Sequence, residues 1–187
     1  MTHNSFRAKV FHLRGGLWTG LYLLILLGAR PVWGRVLPSL LLVAIGQLLR
    51  FWAVGCIQKY RGEQVKADQL VTWGPYALVR NPLYVGNGLI GLGWAVLAGP
   101  WVVALFLFSF ALIYGIWIVP YEESFLRDKF GERYDEYCQE TGRFFPVAWP
   151  EDRLRGPYNW ATVWKSERHS LWVTIAGTVV LLSRFRW

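Results

Sequence analysis

Four long runs of apolar residues, at residues 15–29, 36–57, 83–98 and 100–119, alternate with short polar or basic stretches, and a shorter apolar run follows at 171–182. Each of the first four approaches the ~20 residues that a helix needs to cross ~30 Å of hydrocarbon. Lipid offers no partners to backbone N–H and C=O groups, so a run that crosses it must be helical. The pattern predicts an all-α, polytopic membrane helical bundle with four to five transmembrane helices. Gly99-Pro100 breaks the last two long runs so tightly that they should form an antiparallel hairpin. At ~1.5 Å per residue the final run is short for a crossing, and it reads either as an interfacial helix or as a fifth span.

Basic residues orient the bundle. Arg7, Lys9 and Arg14 precede the first run, and Lys59, Arg61, Lys66 and Arg80 lie between the second and third. Arg127, Lys129, Arg133, Arg143, Arg153, Arg155, Lys165 and Arg168 follow the fourth, whereas the first connection carries only Arg30 and Arg35. The bias toward positive charge inside places both ends of a four-helix core in the cytoplasm, as expected of a protein of the inner, cytoplasmic membrane. No linker, low-complexity tract or internal repeat divides the chain, so residues 1–187 read as one membrane domain. The first run is followed by no small-x-small cleavage site and is expected to be retained.

Composition narrows the function classes. The chain is 54% hydrophobic and 17% charged, outside the usual soluble balance, and its 17% aromatic content with 12 Trp suits membrane interfaces. A net charge of +8 raises the question of nucleic acid, but the 20 Lys and Arg are spread between and after apolar runs, which indicates topology and contact with membrane lipids instead. Cys56 and Cys138 lie outside any Cys-x-x-Cys pattern, and His3, His12 and His169 lack ligand spacing. Neither a disulfide framework nor a metal site is expected.

Two stretches carry chemistry. The first, residues 71–86, reads Val-Thr-Trp-Gly-Pro-Tyr-Ala-Leu-Val-Arg-Asn-Pro-Leu-Tyr-Val-Gly at the cytoplasmic mouth of the third span. Asn81 before Pro82 marks a helix start with Asn81 as N-cap. Arg80 stands beside it, Tyr76 and Tyr84 surround it, and Gly86, Gly88, Gly91 and Gly93 follow, small residues that admit either a neighbouring helix or a flat ligand. In the second stretch Pro120 is expected to break the fourth span. Glu122 and Glu123 would then open a new cytoplasmic amphipathic helix, complementing its dipole, with Leu126, Phe130, Tyr134 and Tyr137 as its apolar stripe. Carboxylates at a bilayer boundary are costly unless paired, hydrated or used. The hairpin returns them to the membrane face that holds Arg80 and Asn81, which suits a polar, zwitterionic cofactor meeting an apolar substrate. Residues 141–146 close the segment, where Arg143 either meets a headgroup or lies at the lipid surface. Arg50, the one charge inside the second span, either pairs within the bundle or meets an anionic substrate group.

Gly74-x-Tyr76, then Arg80-Asn81-Pro82-Leu83-Tyr84-x-Gly86, Glu122-Glu123, Phe130-Gly-x-x-Tyr134-x-x-Tyr137 and Pro146, in this order and spacing, resemble the pattern of the isoprenylcysteine carboxyl methyltransferase and phospholipid methyltransferase superfamily of integral membrane enzymes. The resemblance implies S-adenosylmethionine as methyl donor, held in a core of residues 71–146 by Gly74, Tyr76, the Arg80-to-Gly86 segment, Glu122 and Glu123. Gly91-Leu-Gly93 resembles the Gly-x-Gly cofactor motif of the phospholipid branch. Glu123, Glu122 and Arg80 are the implied catalytic residues, with Arg50, Tyr134, Tyr137 and Arg143 on the side of a lipophilic acceptor that enters from the bilayer, an isoprenylcysteine-type carboxylate or a lipid amine. Carboxylates suit the donor's ammonium or ribose hydroxyls, and Arg80 or the helix N-terminus suits its carboxylate. A carboxylate acceptor needs only positioning and dehydration, whereas an amine needs Glu123 or Glu122 to accept a proton. The superfamily's histidine is Asn81 here, an amide that hydrogen-bonds but does not titrate near neutral pH. Two other assignments stand beside this one. A sterol-reductase-like, NADPH-dependent oxidoreductase has a similar cofactor-binding half, and a non-catalytic scaffold with a decayed site would account for Asn81.

Overall fold

The computed structural model describes residues 13–57 and 69–184; His3, Arg7, Lys9, His12, Lys59, Arg61 and Lys66 lie outside them, as does the side chain of Arg14. Among the described residues the architecture is all-helical. Helices α1 (Arg14–Gly28) and α2 (Val36–Cys56) are joined through a 3₁₀ turn at Trp33–Arg35. A short α3 (Pro75–Leu78) leads into α4 (Pro82–Ala98), followed by α5 (Pro100–Phe130), α6 (Glu132–Glu140) and α7 (Trp160–Leu182). Two helices, Trp33–Cys56 and Pro100–Phe130, are long and apolar enough to cross a membrane, and Gly15–Gly28 and Pro82–Ala98 are shorter apolar helices.

Local chemistry explains where these helices start and meet. Pro75, Pro82 and Pro100 each occupy a first turn, where a missing N–H leaves nothing unsatisfied. Gly99 at φ +139° ends α4 and begins α5, a conformation closed to most side chains. The two helices then run antiparallel, with Gly88 against Phe110 and Gly91 against Phe106. The contact of α2 with α4 is also made by small residues. A Cβ at Gly46 would stand 2.7 Å from the carbonyl oxygen of Gly86, and one at Gly93 would stand 2.7 Å from that of Ser39. Ser39 Oγ donates to the Gly93 carbonyl at 2.8 Å across the same contact. Close backbone approach of this kind is how helices associate where lipid supplies no hydrophobic drive. Ile25, Val43, Ile90, Trp94, Leu97, Val102, Phe106 and Leu181 form the main core. An aromatic column continues from Phe110 through Tyr114 to Tyr84, with ring centroids 4.5 and 5.1 Å apart.

Three features depart from the sequence expectations. Pro120 does not break the fourth long helix, which runs on for 31 residues. Residues Ala111–Ile118 wind as a π-helix, and the Val119 N–H reaches back to the Tyr114 carbonyl. The widened turn gives the proline ring room where a standard α-turn would clash. Glu122 and Glu123 therefore lie inside a long helix, and no helix N-terminus stabilises them. The stripe Leu126, Phe130, Tyr134 and Tyr137 does not form one amphipathic face, because Gly131 at φ +54° divides α5 from α6. Tyr134 and Tyr137 turn inward and are buried in protein. Finally, the helix expected over residues 171–182 starts at Trp160, where the Asn159 side chain accepts from the Ala161 and Thr162 N–H groups at 2.9 and 3.2 Å. It packs on the core helices: Tyr22 Oη donates to the Gly177 carbonyl at 3.0 Å, and Trp94 Nε1 to Thr178 Oγ1 at 2.9 Å.

Gly93→Val should force the α2–α4 backbones apart and cost about 1–3 kcal/mol, as overpacking does. Gly20→Ala, where a Cβ meets nothing within 4 Å, should be neutral or slightly stabilising. Melting temperatures in detergent compare the two; equal melting temperatures would contradict the close α2–α4 contact.

Candidate functional site

Glu123 is the centre of a polar cluster built from three stretches of chain. It projects from α5 with its side chain 7% exposed, and its carboxylate accepts from Arg80 Nε at 3.2 Å, Asn81 Nδ2 at 3.2 Å and Arg143 Nη2 at 2.6 Å. Arg80 also donates through Nη1 to the carbonyls of Cys138, at 3.2 Å, and Thr141. Asn81 reaches the Arg143 carbonyl at 3.4 Å. Asn81 occupies the N-cap position of α4, yet its side chain caps nothing and serves the cluster instead. The backbone holds the same stretches together: Arg80 N–H donates to the Gly142 carbonyl at 2.8 Å, beside a bridge of Val79 with Gly142.

The turn that delivers Arg80 depends on Gly74, at φ +63°, where a Cβ would stand 2.6 Å from Cys56 Sγ. Its N–H donates to the Arg153 carbonyl at 2.8 Å. Tyr76 is buried behind the cluster, and its carbonyl accepts from Tyr137 Oη at 2.6 Å. Burial pushes the Tyr137 hydroxyl well above the ordinary phenol range. Burial, with the Glu123 charge second, does the same for Tyr134. Both phenols are neutral at physiological pH. Glu122, next to Glu123 in α5, is also buried. Arg80 is 12% exposed and bonds through Nε and Nη1, whereas Arg143 is 44% exposed and is the cation turned toward solvent.

The structure thus brings Gly74, Tyr76, Arg80, Asn81, Glu122, Glu123, Tyr134, Tyr137 and Arg143 to one end of the bundle. Pro82 opens α4 at its edge, Leu83 packs with Tyr76 and Ala53, and Tyr84 stacks toward Tyr114. Other expected residues have different surroundings. Gly86 faces α2, where a Cβ would meet Arg50 Cγ at 2.6 Å. A Cβ at Gly91 would meet the rings of Phe106 and Trp18, and one at Gly93 would meet Ser39 and Val43, so both glycines allow close helix packing. Arg50 belongs to a separate ion pair with Glu167, of the two sequence alternatives the one within the bundle. The carbonyls of Cys138 and Thr141, which fix Arg80, escaped sequence reasoning because backbone acceptors leave no residue signature.

These features carry the comparison with known proteins. The family model described as phospholipid methyltransferase matches residues 35–133, more than half of the chain, including Arg80, Asn81, Glu122 and Glu123. The chain belongs to the phospholipid methyltransferase family. It is 33% identical over 142 residues to the nickel-cobalt-cadmium resistance protein NccN of Alcaligenes xylosoxydans xylosoxydans, covering 71% of this chain and 64% of that protein. It is 43% identical over 83 residues to the cobalt-zinc-cadmium resistance protein CzcN of Cupriavidus metallidurans, 43% of this chain and 37% of that one. A probable protein-S-isoprenylcysteine O-methyltransferase of Oryza sativa subsp. indica is 34% identical over 128 residues, 63% of this chain and 64% of the rice protein. The chain therefore spans less than two thirds of the length of these curated relatives. No solved structure matches it.

A phenol whose folded pKa lies above its unfolded value of ~10 stabilises the fold below that pH and loses this contribution as pH rises toward the folded value. The melting temperature in detergent should hold to about pH 10 and then fall. Tyr137→Phe should lower the melting temperature on the plateau, through the lost hydrogen bond to Tyr76 worth about 1 kcal/mol, and flatten part of the alkaline fall. An alkaline slope unchanged in this variant would contradict the inward placement of Tyr137.

Proposed function

We propose that this chain is an integral membrane, S-adenosylmethionine-dependent methyltransferase that transfers a methyl group to a lipophilic acceptor reaching it from the bilayer. Four or five of its helices cross the membrane, with the Glu123 cluster on the cytoplasmic side. The observation that carries the proposal is one buried carboxylate, Glu123, gripped by Arg80, Asn81 and Arg143 from two other stretches of chain at the end of an apolar bundle.

The donor set fits the amino-acid end of S-adenosylmethionine. Arg143, half exposed, is the guanidinium open to its carboxylate. Thr141 Oγ1, buried without a hydrogen-bond partner among the described residues, suits an ammonium or ribose hydroxyl, and Glu122 adds a carboxylate for the same groups. When bound, S-adenosylmethionine supplies an electrophilic methyl on a sulfonium. Glu123 holds Arg80, Asn81 and Arg143 in one arrangement; with both its oxygens engaged, it acts by positioning. Asn81 takes the place of the superfamily's histidine as a hydrogen-bond donor. A carboxylate acceptor such as an isoprenylcysteine asks only for alignment and exclusion of water. A lipid amine must lose a proton, and a carboxylate of the buried Glu122-Glu123 pair accepts it. Tyr134 and Tyr137 shape the wall behind the site, and Arg50, tied to Glu167, is not among the acceptor contacts.

Equilibrium binding of labelled S-adenosylmethionine to the detergent-purified chain tests the proposal. Glu123→Gln and Arg143→Ala should each weaken it at least ~10-fold, about 1.4 kcal/mol, with helical content unchanged. Wild-type affinity in both variants would remove the site, and binding of NADPH in place of S-adenosylmethionine would move the assignment to the reductase. A screen of lipid extracts with methyl-labelled donor identifies the acceptor. Because NccN and CzcN are named for metal resistance, the extracts should come from cells grown with and without cobalt.

A further inference from the structure

A second buried ion pair lies inside the bundle. Arg50, in the apolar second half of α2, donates through Nε and Nη2 to the two oxygens of Glu167 on α7, at 2.9 and 2.7 Å, in a bidentate fork. Its third arm, Nη1, donates to Asn87 Oδ1 on α4. One guanidinium therefore ties three helices together. Gln47 Nε2 adds a donor to Glu167 at 3.3 Å, and Gln47 Oε1 accepts from Thr174 Oγ1 at 3.1 Å. From there Thr178 Oγ1 donates to the Thr174 carbonyl at 2.7 Å, and Trp94 Nε1 to Thr178 Oγ1 at 2.9 Å. The absent side chain of Gly86 lets the Arg50 stem reach α4, since a Cβ there would stand 2.6 Å from Arg50 Cγ.

An embedded ion pair is seldom more stabilising than apolar packing of the same volume, so its value lies in direction and register. The register it fixes is that of α4. Asn87 sits about one and two-thirds turns beyond the Asn81 cap at 3.6 residues per turn. A restraint on Asn87 is therefore a restraint on the end of α4 that carries Asn81 to Glu123. Glu167 supplies this restraint from a helix beyond residue 133, where the family match ends.

We propose that Glu167 is a positioning residue for the N-terminal end of α4, acting through Arg50 and Asn87, which makes α7 part of the working site. Its effect on donor binding rests on the function proposed above; its effect on α4 does not.

Hydrogen–deuterium exchange of the full chain in detergent reads the restraint directly, alongside binding of S-adenosylmethionine. Three variants separate the contributions. Glu167→Gln weakens the fork. The double variant Arg50→Leu with Glu167→Leu removes both charges and leaves none unpaired, so the bundle should stay folded. Asn87→Leu cuts only the arm to α4. All three should speed exchange at residues 82–87 and weaken donor binding at least 3-fold. Asn87→Leu should do so with exchange across α7 unchanged. Wild-type exchange at residues 82–87 in the folded double variant and in Asn87→Leu would overturn the proposal. Faster exchange there, in a chain whose wild type binds no S-adenosylmethionine, would uphold the positioning role and remove the donor site.

Discussion

The carboxylate of Glu123 is the point on which the site is hung. A buried acid without partners is costly, and here two guanidiniums and an amide from distant sequence positions satisfy it. Each partner demands something of the fold. Glu123 must face inward from α5, which requires the helix to continue through Pro120 on the π-segment. Arg80 and Asn81 must arrive at the same level through the Gly74 turn and the start of α4. Arg143 must be brought back by the break at Gly131 and the bridge of Val79 with Gly142. A phenol buried behind the cluster, Tyr137, closes its inner side by bonding the Tyr76 carbonyl.

The bundle that carries this cluster is assembled by complementary means. Glycines bring α2 and α4 into backbone contact and seat the Phe106 and Phe110 rings of α5 on α4, and an aromatic column continues from Phe110 through Tyr114 to Tyr84. Where small residues give way to charge, Arg50 and Glu167 make a pair of the same kind as Arg80 and Glu123. Both join segments distant in sequence, and both act on one end of α4, one from each side of its cap. A methyl-transfer site suits such a frame, because direct transfer depends on alignment and dehydration more than on proton movement.

Much of this was legible in the sequence, for identifiable reasons. Apolar runs and Gly99-Pro100 gave the hairpin because hydropathy and turn chemistry are local properties. Arg80, Asn81 and Glu123 were expected at one face because the hairpin must return the chain to the side it left. The π-segment was not legible, since Ala111–Ile118 is as apolar as the α-helix before it and nothing in its residues distinguishes two windings. The early start of α7 was hidden because Lys165, Glu167, Arg168 and His169 interrupt the apolar pattern, although Glu167 is paired inside the bundle. At Gly91 and Gly93 the spacing announced a close approach, and the structure adds that the rings of Phe106 and Trp18 and the backbone of Ser39 make it.

A double-mutant cycle on unfolding free energy, pairing Arg80→Gln with Glu123→Gln, tests the central ion pair most directly. The account predicts that the double variant departs from the sum of the single effects by more than ~1 kcal/mol, as for groups in direct contact. Additivity within ~0.5 kcal/mol would mean that the two side chains do not meet, and would contradict it.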